Sequence, residues 1–289
     1  MLTNHKIAFI GPGVMAEAMI AGLIRQNMVT PDCLMAAGPN PERVKELQTQ
    51  YGIIGMEDNS AAACKADIVI LSVKPQRLTK VLNGLHGCIQ SHALVLSIVA
   101  GAPISKLMNG LGHDIIVRSM PNTPAQIGEG ITVWTASPAV SEEHRNIARQ
   151  ILSALGEEIF LEEENYLDMA TAVSGTGPAY VFLFMEAMID AGVHLGFPRR
   201  VAEELVVKTV RGSVDYYLIK SGPHHLAHLR NQVTSPGGTS AAALYYLEKA
   251  GFRTAISRAI WAAYERSQQL GAEAKSQAPE SPNPPQTNP

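Results

Sequence analysis

The chain has 289 residues, a formal net charge of −3 at pH 7 and a hydrophobic content of 46%. This length fits two ordinary domains, each with a proper apolar core. The slightly negative charge argues against a nucleic-acid partner or an anionic membrane surface. The sequence has no run of about 18 consecutive apolar residues, so we expect no membrane-spanning segment.

The three cysteines, Cys33, Cys64 and Cys88, are scattered and form no CxxC motif. An odd number of isolated thiols predicts reduced, buried side chains in a reducing compartment, which indicates the cytoplasm. We also expect no secretory leader, because the first apolar segment is too short. Residues 272–289 are rich in Pro, Ser, Gln and Asn and are predicted to form a disordered tail.

The first predicted strand, KIAFI at residues 6–10, leads into GPGVMA at residues 11–16. Gly11 permits a tight bend, Gly13 lets a ligand approach the backbone, and Ala16 lets the next helix pack closely on the strand. The start of that helix offers unpaired N–H groups to a phosphate. The alternative is an ordinary turn that needs small residues, but its place at the first strand of an alternating chain favours dinucleotide binding.

Strands and helices alternate as far as about residue 163. The further predicted strands are 33–38, 66–73, 93–100, 115–121, 131–136 and 156–161. Several are continuous apolar runs, as expected for a parallel sheet that is covered on both faces. We therefore predict an α/β domain at residues 1–163, with a doubly wound, mostly parallel Rossmann sheet.

The end of the second strand bears on which dinucleotide binds. NAD-binding turns carry an acidic residue there, whereas AAGPNPER at residues 36–43 has none before Glu42. We therefore expect NADPH, with NADH as the alternative. Arg43 is interpreted as a solvated helix residue, and contact with the 2′-phosphate is its alternative role. Lys74 ends a predicted strand at the edge where such sheets bind ligands, which favours a cofactor role over a structural one.

Residues 164–271 change to a helical pattern, in which Pro178 and Pro198 are predicted to begin helices. The first long helix is apolar nearly all round apart from Glu186 and Asp190. A helix of this kind is buried on several sides. We therefore predict an all-α domain that packs against a second copy of the chain in a homodimer.

Two segments rich in glycine and hydroxyl groups interrupt this pattern, at residues 174–177 and 235–240. Both are predicted to lie at helix N-termini, where N–H and hydroxyl groups suit the carboxylate of a small substrate. Simple N-capping by Ser or Thr is the alternative for each segment. The candidate substrate-binding residues are Ser174, Thr176, Ser235, Gly237, Gly238, Thr239 and Ser240.

The histidines offer weaker candidates. His144 and His194 are interpreted as a helix-surface and a helix-end residue rather than general bases. His224 and His228 have the i, i+4 spacing of zinc ligands beside His225, but no HExxH motif or nearby carboxylate accompanies them. We therefore expect no metal site.

Five segments of the chain together carry a family signature: GPGVMAEAM (11–19), SVKPQ (72–76), VRSMPNTP (117–124), SGTGPAY (174–180) and VTSPGGTSAAALYYLE (233–248). They resemble the pyrroline-5-carboxylate reductase family in order, from about residue 5 to residue 270. The last segment is the most specific. The resemblance implies a Rossmann domain followed by a helical domain that interlocks in a homodimer, with further assembly into decamers. It also implies the reduction of the imine pyrroline-5-carboxylate to L-proline with NADPH or NADH.

The resemblance also implies roles for individual residues. It places the pyrophosphate against Ile10, Gly11, Pro12, Gly13, Val14 and Met15, and the adenosine near Asn59. It places the nicotinamide side along Val73, Lys74, Pro75, Ala100, Met120 and Asn122. It assigns the substrate carboxylate to Gly238, Thr239 and Ser240, with Ser240 as the candidate donor to the ring nitrogen.

The chain departs from the family pattern at several positions. Gly38 stands where the family usually has a polar residue that touches the 2′-phosphate, so the preference for NADPH is an open question. Thr176 replaces a usual serine and Ser240 a common threonine, and both keep the hydroxyl group. Leu226 stands where a proline is common.

Two other functions remain as alternatives. One is a reductase of another imine or of a hydroxyacid-type substrate. An alcohol substrate would need a Lys or His base, whereas an imine mainly needs orientation, and the sequence has no lysine between Lys106 and Lys208. The other alternative is a non-catalytic NADP-binding sensor, which would not need both glycine-rich segments of the helical half.

Overall fold

The structure is a computed structural model, and it describes residues 2, 5–220 and 225–276. These residues divide into two compact units. One contains the described residues up to Thr176 together with those from Ala263 onward, and the other contains Gly177–Ala262. This division differs from the predicted boundary at residue 163, because residues 164–176 and 263–276 pack with the sheet.

The first unit is built on an eight-stranded sheet. Its strands are β1 (Ile7–Ile10), β2 (Leu34–Ala37), β3 (Ile54–Met56), β4 (Ile68–Leu71), β5 (Leu94–Ser97), β6 (Ile116–Met120), β7 (Gly130–Ala136) and β8 (Gly156–Phe160). The spatial order is β3-β2-β1-β4-β5-β6-β7-β8. Every neighbouring pair is parallel except β6 with β7. The predicted Rossmann fold is therefore confirmed.

Helices cover both faces of this sheet. They are α1 (Val14–Arg25), α2 (Pro41–Tyr51), α3 (Asn59–Ala63), α4 (Pro75–Leu85), α5 (Ile104–Leu111), α6 (Glu142–Ser153) and α7 (Tyr166–Ala170). Alternate residues of a strand point to opposite faces. Phe9 of β1 accordingly packs in one core with Met19 of α1, whereas Ile10 packs in the other core with Leu78 of α4.

The sequence analysis missed β3. This strand has only three residues, includes Gly55 and lies at the edge of the sheet. A strand this short and partly exposed lacks the continuous apolar run that marked its neighbours.

The remaining helices are α8 (Gly177–His194), α9 (Arg199–Lys220), α10 (Leu226–Gln232), α11 (Thr239–Lys249) and α12 (Phe252–Ser276). Within the second unit α8 packs against α9, and the Phe184 and Phe252 rings lie 6.4 Å apart. The predicted start of the tail at residue 272 is wrong, since α12 continues to Ser276. The sequence AEAKS at 272–276 contains good helix formers. The rest of the predicted tail lies outside the described residues.

One helix is continuous from Tyr166 to His194, over 29 residues with a mean hydropathy of 1.3. By length and composition alone a helix of this kind would be able to cross a membrane. Residues Thr171–Gly175 in it form a π-helical turn. No residue of α8 is buried within the single chain.

The predicted burial of the three cysteines is wrong. Cys64 is exposed, and Cys33 and Cys88 are half-buried. All three lie where elements end: Cys33 just before β2, Cys64 directly after α3 and Cys88 after α4. Element ends lie at the surface, so residues there are not enclosed by the core.

Candidate active site

The turn between β1 and α1 is held tightly on the side of the sheet. Gly11 has a φ of +93°, which favours glycine, and a Cβ atom there would lie 2.7 Å from Cγ1 of Val73. Its N–H group donates to the carbonyl of Ala37 at 2.9 Å. The hydroxyl of Ser72 donates to the carbonyl of Gly11 at 2.6 Å. The bend is therefore fixed by β2 on one side and by the end of β4 on the other.

The opposite side of this turn is open. Gly13 is the N-cap of α1, in an extended conformation that any residue adopts. Among the described residues, no atom lies within 4 Å of a Cβ atom built on Gly13. Glycine is therefore not needed there for folding, and the space at the positive end of α1 fits a pyrophosphate. Ile10 ends β1, and Val14 and Met15 begin α1.

The other predicted cofactor residues follow the ends of parallel strands at the same edge of the sheet. Val73 and Lys74 follow β4, and Pro75 is the first residue of α4. Ala100 follows β5, and Met120 is the last residue of β6. Because parallel strands end at a common edge, these residues line the place where such sheets bind ligands.

Two amide side chains at this edge have different roles. Asn59 is the first residue of α3, and its Oδ1 atom is buried without a hydrogen-bond partner among the described residues. A buried acceptor of this kind needs a partner, and a hydroxyl or amino group of an adenosine would supply one. Asn122 instead accepts a hydrogen bond from the N–H of Ile131 at 3.0 Å, so it fixes the start of β7.

Arg43 is held by the protein rather than solvated. Its Nε atom donates to the carbonyl of Pro12 at 3.1 Å, and its terminal nitrogens pair with Glu17 and Glu46. Its interpretation as a solvated helix residue is therefore wrong. A basic residue on the first turn of a helix is usually solvated, and the sequence did not show that Glu17 lies beside it.

Residues 174–177 do not form a helix N-terminus, so that prediction is also wrong. The chain passes through them as a π-helical turn, and the N–H of Thr176 donates to the carbonyl of Thr171 at 2.8 Å. The Ser174 hydroxyl donates to the carbonyl of Ala170 at 2.9 Å. The wider π-turn interrupts the regular hydrogen bonds of the helix. Pro178 has no N–H group to donate, so the helix accommodates it at this point.

This π-turn lies beside the predicted nicotinamide site. A Cβ atom on Gly175 would lie 2.8 Å from Cε of Met120. A side chain at position 175 would have to displace the flexible end of Met120, so the turn lies close against the end of β6. Ser174 and Thr176 flank Gly175, so the structure brings them near Met120. π-turns of this kind are frequent at functional sites.

The segment 235–240 belongs to the second unit, and there the predicted helix N-terminus is confirmed. Gly237 has a φ of +69°, and Gly238 is the N-cap of α11. The N–H of Gly238 donates to the carbonyl of Ser235 at 3.1 Å, which closes the turn. Gly238 has no side chain to cap the helix, so the first-turn N–H groups at Thr239 and Ser240 are available to an anion.

The histidines have structural roles. His144 is half-buried on α6, and His194 is the exposed last residue of α8. His225 caps α10 by accepting from the N–H of Ala227 at 3.1 Å. His224 lies outside the described residues. Within the ranges that the structure describes, no three His, Cys, Asp or Glu side chains form a group suited to a metal ion.

The sequence analysis missed two groups that shape the site. Ser72 directly follows β4, and its hydroxyl group holds the turn at residues 11–13, which is called the glycine turn below. The sequence signal for this role was a hydroxyl residue at the edge of the sheet where ligands bind. Arg118, on β6, pairs with Glu164 at 2.9 Å and with Asp168 at 3.0 Å, and its side chain is only 5% exposed. Arg118 interrupts an apolar strand, which was a signal for a buried ion pair.

Known proteins resemble this chain over nearly its whole length. The pyrroline-5-carboxylate reductase of Synechocystis sp. is 42% identical over 266 residues, which cover 92% of this chain and 98% of that protein. The pyrroline-5-carboxylate reductase of Escherichia coli is 39% identical over 268 residues, with the same coverage. The chain belongs to the pyrroline-5-carboxylate reductase family. It is therefore an oxidoreductase, as the sequence predicts.

Two family models match the chain. The model for pyrroline-5-carboxylate reductase dimerisation matches residues 164–270, and the model described as NADP oxidoreductase, coenzyme F420-dependent, matches residues 6–101. The first includes α8, whose residues are not buried within the single chain. The second includes the glycine turn and Asn59. Oligomerisation through the helical half and the use of a nicotinamide cofactor are thus supported.

A solved structure agrees with this family assignment. The crystal structure of Plasmodium falciparum pyrroline carboxylate reductase with NADP bound superposes with a TM-score of 0.85 at 34% identity. The superposition covers 93% of this chain and 98% of the Plasmodium falciparum chain. The similarity extends through both the sheet and the helical segments, as expected for members of one pyrroline-5-carboxylate reductase family.

Proposed function

We propose that this chain reduces the cyclic imine 1-pyrroline-5-carboxylate to L-proline, with NADPH as the preferred cofactor and NADH as the alternative. The single observation that carries this assignment is its near-full-length similarity to curated pyrroline-5-carboxylate reductases. The bound nicotinamide supplies the hydride for the imine carbon. This reaction is the final step in forming proline.

The cofactor site is assembled from the first unit. The open side of the turn at Gly13 and the N-terminus of α1 hold the pyrophosphate, and Asn59 accepts a hydrogen bond from the adenosine part. Val73, Lys74, Pro75, Ala100, Met120 and Asn122 form the nicotinamide side. The open space at Gly13 and the unpartnered Oδ1 atom of Asn59 support this arrangement.

The substrate carboxylate is held at the N-terminus of α11. Gly238 leaves that terminus without a side-chain cap, and Thr239 and Ser240 add hydroxyl groups to the backbone N–H groups. A carboxylate there gains charge-assisted hydrogen bonds and the favourable end of the helix dipole. Ser235 and Gly237 shape the approach to it. In the first unit, Ser174 and Thr176 carry hydroxyl groups on the π-turn beside the proposed nicotinamide side.

Ser240 holds the ring nitrogen through its hydroxyl oxygen, which accepts a hydrogen bond from the protonated N–H group. An imine nitrogen enters the reaction already protonated, and a cationic iminium accepts hydride readily. The protein therefore needs no strong acid, and its main work is to orient the substrate and exclude water. A serine in place of a threonine keeps this hydrogen bond.

The proposal includes a homodimer formed through the helical unit, with dimers assembling into decamers, and a cytoplasmic location. Exposed apolar side chains on α8, such as Phe182 and Leu183, support the dimer. The proposal includes no membrane, nucleic-acid or metal partner.

The test is NADPH consumption with 1-pyrroline-5-carboxylate, with the product identified as proline. A six-membered cyclic imine carboxylate and a 2-keto acid serve as competing substrates. We expect proline to form and Ser240→Ala to lower kcat/KM by about tenfold, the cost of one hydrogen bond to a charged group. Ser240→Thr is the matched control and should retain activity. Faster turnover of a competing substrate would contradict the assignment.

A further inference from the structure

All three nitrogens of the Arg43 guanidinium group bond to the protein, and the Nε atom joins α2 to the glycine turn. The Nε atom donates to the carbonyl of Pro12 at 3.1 Å, and one terminal nitrogen donates to Glu46 at 2.7 Å. The other terminal nitrogen pairs with Glu17. The Arg43 side chain is 21% exposed. Each of its three nitrogens thus already donates to a protein acceptor.

Glu17 is the partner of Arg43 on α1, and it is itself held from two directions. The hydroxyl of Tyr51, at the end of α2, donates to its other carboxylate oxygen at 2.9 Å. Burial raises the pKa of Glu17, but hydrogen bonds from Arg43 and Tyr51 and the charge of Arg43 outweigh it, so this pKa lies below its usual value. Glu17 is therefore a carboxylate at neutral pH and attracts Arg43.

These contacts act on the part of the turn that faces the pyrophosphate. The carbonyl of Pro12 belongs to the same peptide unit as the N–H of Gly13, and this unit is planar. The N–H of Gly13 donates to the carbonyl of Gly11 at 2.8 Å. The hydrogen bond from Arg43 therefore fixes the orientation of a peptide unit directly beside the open space at Gly13.

We propose that Arg43 is a positioning residue for the dinucleotide: through Pro12 and Glu17 it holds the turn and the start of α1 in the shape that receives the pyrophosphate. In this role its three nitrogens serve Glu17, Glu46 and Pro12 rather than the 2′-phosphate of NADPH. The inference rests on the proposed cofactor site. NADPH and NADH share the pyrophosphate, so a positioning role predicts the same effect on both cofactors.

The test compares Arg43→Met with the wild type, using the full-length chain. Calorimetric titration gives Kd for NADPH and NADH, and steady-state kinetics give KM and kcat with each. We expect Kd and KM to rise about tenfold for both cofactors, since charge-assisted hydrogen bonds are lost. The kcat at saturating cofactor should change by less than about twofold, because the reacting groups are not touched.

Two further variants complete the design. Arg149 also pairs with a glutamate of the same unit, with its Nε atom 3.4 Å from Glu158, but it has no contact with the turn. Arg149→Met is the matched control and should leave both Kd values unchanged. Tyr51→Phe removes one hydrogen bond from Glu17 and should raise both Kd values equally, by about threefold. If Arg43→Met unfolds at the assay temperature, the Kd values of Tyr51→Phe test the inference in its place.

Three outcomes would overturn the inference. A loss of affinity for NADPH alone would make Arg43 a ligand of the 2′-phosphate. Unchanged Kd values in both Arg43→Met and Tyr51→Phe would leave the network without a role in binding. If the wild type itself bound neither dinucleotide, the proposed cofactor site would fail together with the inference, whereas the first two outcomes leave that site intact.

Discussion

Gly38 and Pro12 pack against each other so closely that a Cβ atom on residue 38 would overlap Cδ of Pro12. Gly38 directly follows β2, and Pro12 lies in the turn between β1 and α1. The glycine at position 38, where the family resemblance implies a polar residue, is therefore explained by the proline that faces it.

This pairing predicts the effect of restoring a polar residue. Gly38→Ser should raise Kd for both NADPH and NADH by about tenfold, because overpacking displaces the turn. The double variant Pro12→Ala/Gly38→Ser removes the overlap and should recover affinity, with a gain for NADPH over NADH. Titration of the three proteins with both cofactors makes the comparison. Full affinity in Gly38→Ser alone would show that the two positions are independent.

Gly13 and Gly84 form a matched pair, since no described atom lies within 4 Å of a Cβ atom at either. Gly13→Val should raise KM for NADPH by about 100-fold, because the side chain occupies the space of the pyrophosphate, while the melting temperature stays within about 2 °C. Gly84→Ala, inside α4, should leave KM unchanged and stabilise the helix by about 0.5–1 kcal/mol. Equal KM values in both variants would place the pyrophosphate elsewhere.

Arg118 connects β6 to the two segments that join the sheet from beyond residue 163. It pairs with Asp168 at 3.0 Å, and the hydroxyl of Ser267 donates to the same carboxylate at 2.8 Å. Arg118→Met should lower the free energy of unfolding by about 3 kcal/mol, because it removes a buried cation and leaves the half-buried carboxylates of Glu164 and Asp168 unpaired with it. Urea unfolding measures this, and the more exposed Arg149→Met should lose no more than about 1 kcal/mol.

The state of Glu17 predicts how stability depends on acid. Its pKa lies below the ordinary value of 4.5, so the folded state gains stability above the unfolded pKa and loses it as the pH falls through the lower, folded pKa. Urea unfolding between pH 7 and pH 3 should therefore show a smaller loss for Glu17→Gln than for the wild type. Glu143→Gln, an exposed residue of α6, is the control and should follow the wild-type curve.

Leu183, on α8, is 67% exposed in the single chain and lies in the segment that matches the dimerisation model. Leu183→Asp places a charge on this apolar surface, so we expect it to convert the oligomer to a monomer by light scattering. Ile127→Asp, at a residue that is 73% exposed in the other unit, should leave the mass unchanged. An unchanged mass for Leu183→Asp would place the interface on another helix.

Much of the fold was predictable because it depends on local patterns. The apolar runs of the parallel strands and the GxGxxA turn carry their own signals, and the structure agrees with both. The glycine-capped start of α11 was equally visible. Residues 174–177 were misinterpreted because Gly and Pro usually end a helix, whereas here a π-turn accommodates Pro178.

The contacts that position the site were not predictable from the sequence. Arg43 pairs with Glu17, which is 26 residues away in the sequence, and Arg118 pairs with Asp168, which is 50 residues away. These pairs depend on how α2 lies against α1 and how α7 lies against β6, which no local pattern specifies. The overlap between Gly38 and Pro12 likewise requires the three-dimensional position of the loop after β2.

The most direct test of the account is to follow the hydride itself. NADPH that carries two deuterium atoms at C4 of the nicotinamide is incubated with the protein and 1-pyrroline-5-carboxylate, and the product is examined by mass spectrometry and NMR. The account predicts proline with one deuterium at Cδ, the former imine carbon. NADPH consumption without deuterium in proline, or binding of NADPH without any proline, would contradict it.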